Sequence, residues 1–221
     1  MKQLTKKLSI TLLSALFLCV FAGFISETRN INGNEEKATE WVQSLGLKNK
    51  QKEKRVIKTV AGHLAAVRTW HNEHPASTVP EGINPRTGEK LSLLDRQIIA
   101  DSAMPKEVHE KLMSGLRAEL TAKQVEAVLD KYTVGKVAFT MKAYREIVPD
   151  MTEQEDSTLW ANLKKAREIA VDYKSMKEIS AIFEIYKTKN EQYLNKNGRN
   201  WHKLYGDYVR KLKAQKKTST H

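Results

Sequence analysis

The densest group of side chains able to do chemistry is Trp70-His71-Asn72-Glu73-His74, which runs straight into Pro75. His71 and His74 stand three residues apart, a spacing that places two side chains on one helix face, and His63 lies two turns earlier. Such a pair can begin a transition-metal site or a polar binding site. A stable metal centre needs a third or fourth ligand with oriented outer partners, and the local sequence supplies none, so neither metal nor other cofactor is expected. The plainer role is capping, because imidazoles at a helix C-terminus bond the last carbonyls and suit the negative end of the dipole.

A second polar group follows at Asp95, Arg96, Asp101 and Ser102. Between the two lie residues 75–91, PASTVPEGINPRTGEKL, with three prolines, two glycines and no helical or strand period. Long irregular segments inside a domain are usually functional or disordered. If this one folds back, it gathers Trp70, His71, His74, Asn84, Asp95, Arg96 and Asp101 into one cleft. An aromatic face, hydrogen-bonding groups and an arginine are what grip a sugar ring or a carboxylate. His71, His74, Arg96 and Asp101 would then be the candidates for acid and base in a catalytic version of the cleft. The alternative is a surface helix on which Asp95 and Arg96 do ordinary capping and solvation.

Most other chemistry is missing from the sequence. There is no Gly-x-Ser-x-Gly elbow, no phosphate-cradling loop and no dinucleotide fingerprint. His109-Glu110 is followed by Met113 where a zinc-protease helix needs its second histidine. The single cysteine, Cys19, excludes an internal disulfide framework and any multi-cysteine zinc site.

The elements that must position these residues read as helices. The chain has 221 residues, 40% hydrophobic and 29% charged, with a net charge of +12. Lys2, Lys6 and Lys7 precede an apolar run from Leu8 to Phe24, the pattern of an export signal with cleavage after Ala22; an uncleaved anchor is the alternative. Loss of residues 1–22 removes three lysines, taking +12 to +9, and leaves no cysteine, which suits an oxidising compartment. Residues 23–37 read as a flexible leader, 38–213 as the helical domain and 214–221 as a basic disordered tail.

Within the domain, Ala38, Trp41, Val42 and Leu45 form a short stripe stopped near Gly46. Asn49 can cap the next helix, which Pro75 ends. Ser92 with Asp95 reads as a further cap, Pro105 suits a helix start, and Thr121-x-x-Gln124 and Thr152-x-x-Glu155 are capping boxes. Val134–Val148 reads as helical, although VAFTM at 137–141 resembles a strand in isolation. One long helix is expected from Thr152 to about Asn195, closed by Asn197-Gly198, followed by a last helix with Trp201, Leu204, Tyr205 and Tyr208 on one side. The expectation is an all-α, single-domain bundle of about seven or eight helices with one long Pro/Gly-rich loop.

Positive charge is concentrated. Six basic residues against Glu53 occupy 48–58, and seven against Asp207 occupy 199–221. For an exported chain this favours an acidic glycan or another envelope polyanion over nucleic acid, and membrane contact only through the signal segment.

The segments WHNEHP (70–75), INPRTGEKLSLLDRQIIADSAMP (83–105), LDKYTVGKVAFTM (129–141) and ISAIFEIYKTKNEQYLN (179–195) resemble a family of exported bacterial proteins classed as a domain of unknown function. The resemblance runs from about Ala38 to Lys213. It implies a periplasmic or extracellular protein of polysaccharide-degrading gut bacteria, encoded beside glycan-utilisation enzymes, and carries no catalytic residue with it. A weaker similarity, through Leu120-Thr121-Ala122-Lys123-Gln124, is to helical periplasmic stress chaperones with a Leu-Thr-x-x-Gln motif. The function expected is glycan binding or an accessory role in polysaccharide use, the alternatives being a polysaccharide lyase or hydrolase with a site near residues 75–91, and a holdase-type chaperone.

Overall fold

Four capping boxes punctuate the described chain: Ser92 with Asp95, Thr121 with Gln124, Thr152 with Glu155, and Ser175 with Glu178. In each, the hydroxyl accepts the backbone N–H three residues on, and the later side chain reaches back to the first residue's N–H, so two helix-end donors are satisfied locally. The computed structural model describes residues 33–85 and 87–218. The expected export signal at 1–22 lies outside the described residues, as does most of the expected leader.

The fold is all-α. Its helices are α1 (33–43), α2 (Lys50–Glu73), α3 (Leu93–Ser102), α4 (Lys106–Glu119), α5 (Ala122–Tyr132), α6 (Lys136–Ile147), α7 (Glu153–Ala170), α8 (Met176–Lys196) and α9 (Trp201–Thr218). The described residues of 75–91 contain a 3-10 turn, Ala76–Thr78, and one isolated antiparallel bridge between Ile83 and Lys90, but no α-helix. Chain packing separates two compact units, one ending at Ala65 and one beginning at Ala66.

In the first unit, Ala38, Trp41, Val42, Val56 and Val60 are buried. Gly46, at φ +62°, takes the left-handed conformation that stops the chain after α1. Asn49 opens α2, its Oδ1 accepting the N–H groups of Gln51 and Lys52 at 3.0 Å each. The leader is shorter than the sequence implies: residues 33–37 are already helical and Asn34 is buried. Asn and Glu are favoured in a helix's first turn by its dipole, so a polar aperiodic stretch there is no sign of disorder.

The second unit is built on α6, α7 and α8. Met141, Val148, Leu159, Leu163, Ala166 and Leu194 are fully buried in one cluster, and Trp201, Leu204 and Tyr208 of α9 pack against it. Truncating such a leucine to alanine costs about 2–5 kcal/mol. Asn162 Nδ2 donates to Asn190 Oδ1 at 2.8 Å, and Asn190 Nδ2 donates to the Leu159 carbonyl at 3.3 Å, which fixes the register of α7 on α8. VAFTM is part of α6, with Val137, Met141 and Tyr144 buried at helical steps.

Two further expectations differ from the structure. The basic tail is helical to Thr218; lysine and glutamine are good helix formers and cations suit a helix C-terminus. The long helix from Thr152 is two helices, broken at residues 171–175, which adds one to the expected count. Ser175-x-x-Glu178 restarts the chain as α8.

Candidate functional site

The five-residue corner between α7 and α8 is where distant parts of the second unit meet. Asp172 Oδ2 lies 2.8 Å from Nδ1 of His109 on α4. Lys174 Nζ donates to Oδ1 of Asn72 at 2.7 Å, joining the corner to the end of α2. Glu178, in the first turn of α8, brings Oε1 to 3.8 Å from Nδ1 of His71. Tyr173, buried between these contacts, has its hydroxyl pushed up to about 12 by burial first and then by the charges of Asp101, Asp172 and Glu178.

His71 anchors the first of two histidine–carboxylate pairs. Its Nδ1 stands 2.9 Å from Asp101 Oδ2, and only 3% of the Asp101 side chain and 5% of the Glu178 side chain are exposed. The other oxygen of each carboxylate is already held. Gln97 Nε2 donates to Asp101 Oδ1 at 3.0 Å, and the Ser175 N–H donates to Glu178 Oε2 at 2.9 Å. Trp70 Nε1 donates to the Ala100 carbonyl at 3.1 Å, which seats the end of α2 against the end of α3 and brings His71 to Asp101.

His109 and Asp172 form the second pair. Hydrogen bonding to Asp172 raises the His109 pKa above its ordinary value against the opposing effect of burial, and the charges of Asp172 and Glu168 add to the rise. Both line a groove of about 1160 Å³ along α4, α5 and α7, and Asp101 and Tyr173 belong to its wall as well. Met113, Leu120, Val125 and Leu129 are buried apolar residues of its wall, while Lys106, Lys165 and Glu110 are among the residues exposed along it. Neither lysine is in an ion pair among the described residues. The wall also holds Arg167, whose side chain is 3% exposed and whose two terminal nitrogens meet Asp130 at 2.7 Å and Glu126 at 2.9 Å. Arg167 Nε is the one buried side-chain nitrogen or oxygen among the described residues that lacks a hydrogen-bond partner.

The residues singled out by sequence divide into two groups. Trp70, His71 and Asp101 come together as described. His74 is beside them but turned away: its ring stacks on Trp70 with centroids 3.6 Å apart, its Nδ1–H donates to the Trp70 carbonyl at 2.9 Å, and its own carbonyl accepts from Gln97. Arg96 ties the loop to α3, with Nε donating to the Val79 carbonyl at 2.8 Å. Asp95 serves the Ser92 cap. Asn84 closes a turn, its N–H donating to Glu89 and its carbonyl accepting from Gly88. The 3-10 turn of the loop packs on α3, where the Arg96–Val79 hydrogen bond ties it; Asp95 and Asn84 serve local turns.

Sequence reasoning missed Gln97, His109, Asp172, Tyr173 and Glu178. For Glu178 a signal was present in the Ser175-x-x-Glu178 box. For Gln97 the signal was its i,i+4 spacing to Asp101; the His109–Asp172 pair lies far apart in the chain, and no local spacing announces it or Tyr173.

Residues 31–214 match the profile of a family described as a protein of unknown function (DUF3826). No functionally curated protein matches the sequence.

Proposed function

The chain belongs to the DUF3826 family, a family of unknown function, and we propose from the geometry that its second unit binds an extended acidic glycan in the groove along α4, α5 and α7. The observation that carries this reading is the pairing of exposed, ion-pair-free Lys106 and Lys165 with an apolar wall in a groove larger than a single small ligand needs. Ammonium groups at the rim attract repeated carboxylates or sulfates along a polymer, and the apolar wall takes the hydrophobic faces of sugar rings. The resemblance to exported proteins of glycan-degrading bacteria favours the same ligand class.

Affinity electrophoresis of the folded protein in gels containing acidic polysaccharides tests this. Retardation is expected in at least one uronate- or sulfate-bearing gel. It should weaken with salt, and Lys106→Glu combined with Lys165→Glu should reduce it. No retardation by any acidic polysaccharide would overturn the reading.

The two histidine–carboxylate pairs favour a second reading, a polysaccharide lyase or hydrolase. In such an enzyme a histidine oriented by a carboxylate transfers a proton at the sugar. Unsaturated or reducing ends accumulating with the wild-type chain, and lost in His109→Ala, would establish it. Unchanged product formation in both His109→Ala and His71→Ala would remove these residues from any such role.

A further inference from the structure

We propose that His71, Asp101 and Glu178 form a binding site for a divalent transition cation of the zinc class. These residues offer one imidazole nitrogen and two carboxylate oxygens, all within 4.8 Å of one another. Imidazole nitrogen and carboxylate oxygen are both zinc ligands, and three of them leave a fourth tetrahedral position open.

Distances fit. Zinc bonds of 2.0–2.2 Å in a tetrahedron place neighbouring ligand atoms about 3.4 Å apart. His71 Nδ1 is 2.9 Å from Asp101 Oδ2 and 3.8 Å from Glu178 Oε1, values that straddle this edge. Small side-chain shifts would equalise them around an ion.

Charge fits as well. Two nearly fully buried carboxylates face one imidazole, so the group is net negative even with the ring protonated. No lysine or arginine contacts either carboxylate among the described residues; Lys174 is bonded to Asn72 instead. Burying an unbalanced charge is costly, and a divalent ion with two carboxylates and a neutral imidazole brings the sum to zero.

The outer contacts are those of an oriented site. Gln97 holds Asp101 Oδ1 and the Ser175 N–H holds Glu178 Oε2, which leaves Oδ2 and Oε1 on the side of Nδ1. Binding through Nδ1 requires the ring proton to stand on Nε2, so the Nδ1 contact with Asp101 gives way to the metal. Because Asp101 is also part of the groove wall, the ion would sit at that wall.

The competing arrangement is a protonated His71 bridging both carboxylates without metal. Titration calorimetry of the untagged, chelator-treated protein with zinc chloride separates the two. One equivalent of zinc should bind. Cobalt(II) should give visible absorption of four- or five-coordinate intensity, and zinc-edge X-ray absorption should show one imidazole with oxygen donors. His71→Ala and Glu178→Gln should each weaken binding roughly 100-fold or more, while His74→Ala should leave it unchanged. Absence of zinc and cobalt binding to the folded wild-type chain would overturn the proposal. So would full-affinity binding in folded His71→Ala, or an absorption spectrum showing two or more imidazoles. The wild-type measurements decide the matter even where a variant fails to fold, and none of them depends on glycan binding in the groove.

Discussion

Asp172 and His109, 63 residues apart in the chain, meet at 2.8 Å where α7 has ended and the chain turns toward α8. The hydrogen bond holds the His109 pKa above its ordinary 6.5. A histidine raised in the fold binds its proton more tightly there than in the unfolded chain. Its stabilisation is therefore complete below about pH 6.5 and fades as pH rises through the raised value. Asp172→Asn should return the His109 pKa toward 6.5 or below in an NMR titration and flatten that part of the stability–pH curve. An unchanged pKa would show that Asp172 does not control His109.

Arg199 and Glu155 give the opposite pH dependence. Arg199 Nε and Nη2 donate to the two oxygens of Glu155 at 3.1 and 2.8 Å, and Nη1 donates to Asp150 at 2.7 Å. The Arg199 hydrogen bonds hold Glu155 down at about 2, against an ordinary 4.5. A lowered carboxylate stabilises above its unfolded value, so this contribution is present above about pH 4.5 and is lost as pH falls toward 2. Arg199→Ala leaves a buried carboxylate without its guanidinium and should cost about 3 kcal/mol at neutral pH. Chemical denaturation of wild type and variant at pH 7 and at pH 3 checks it, and the difference should shrink at the lower pH.

The caps and apolar stripes were legible in the sequence because each is a local pattern with a local cause. Asn49, Ser92, Thr121 and Thr152 open helices where their types and spacing say they should. The break at 171–175 was hidden because Ile169, Ala170, Val171 and Tyr173 continue the apolar character with no Gly or Pro to interrupt it. Half of the candidate site was visible at Trp70, His71 and Asp101. The other half, Glu178 and the His109–Asp172 pair, depends on how α7 and α8 fold back, which no single-helix period encodes.

Val134 is the one described non-glycine residue with positive φ, at 47°, and its side chain is 69% exposed. A β-branched residue is strained there, at about 1–2 kcal/mol, and has no packing to offset the strain. Val134→Gly relieves the strain but adds unfolded-chain entropy of about 0.4–1 kcal/mol. The net expectation is a gain of roughly 1 kcal/mol, read as a higher denaturation midpoint with an unchanged slope. A loss of stability would mean that Val134 makes a contact worth more than its strain.

Ser175 and Ser92 allow capping to be separated from positioning. Each hydroxyl accepts the N–H of the third residue on, from Glu178 at 3.3 Å and from Asp95 at 3.1 Å. Replacing either by alanine should cost about 1 kcal/mol of stability. Only the Ser175 cap adjoins a carboxylate that faces His71; Ser175→Ala keeps the backbone N–H that holds Glu178 Oε2 but loosens the helix start that places it, so zinc binding should also weaken, by less than the roughly 10-fold of a lost outer contact. Ser92→Ala should leave zinc affinity unchanged, because Asp95 is turned to its own helix end. Calorimetry on both variants, matched for stability by denaturation, makes the comparison. Equal loss of affinity in the two would trace the effect to general destabilisation, and the link from the α8 cap to the His71 cluster would fall.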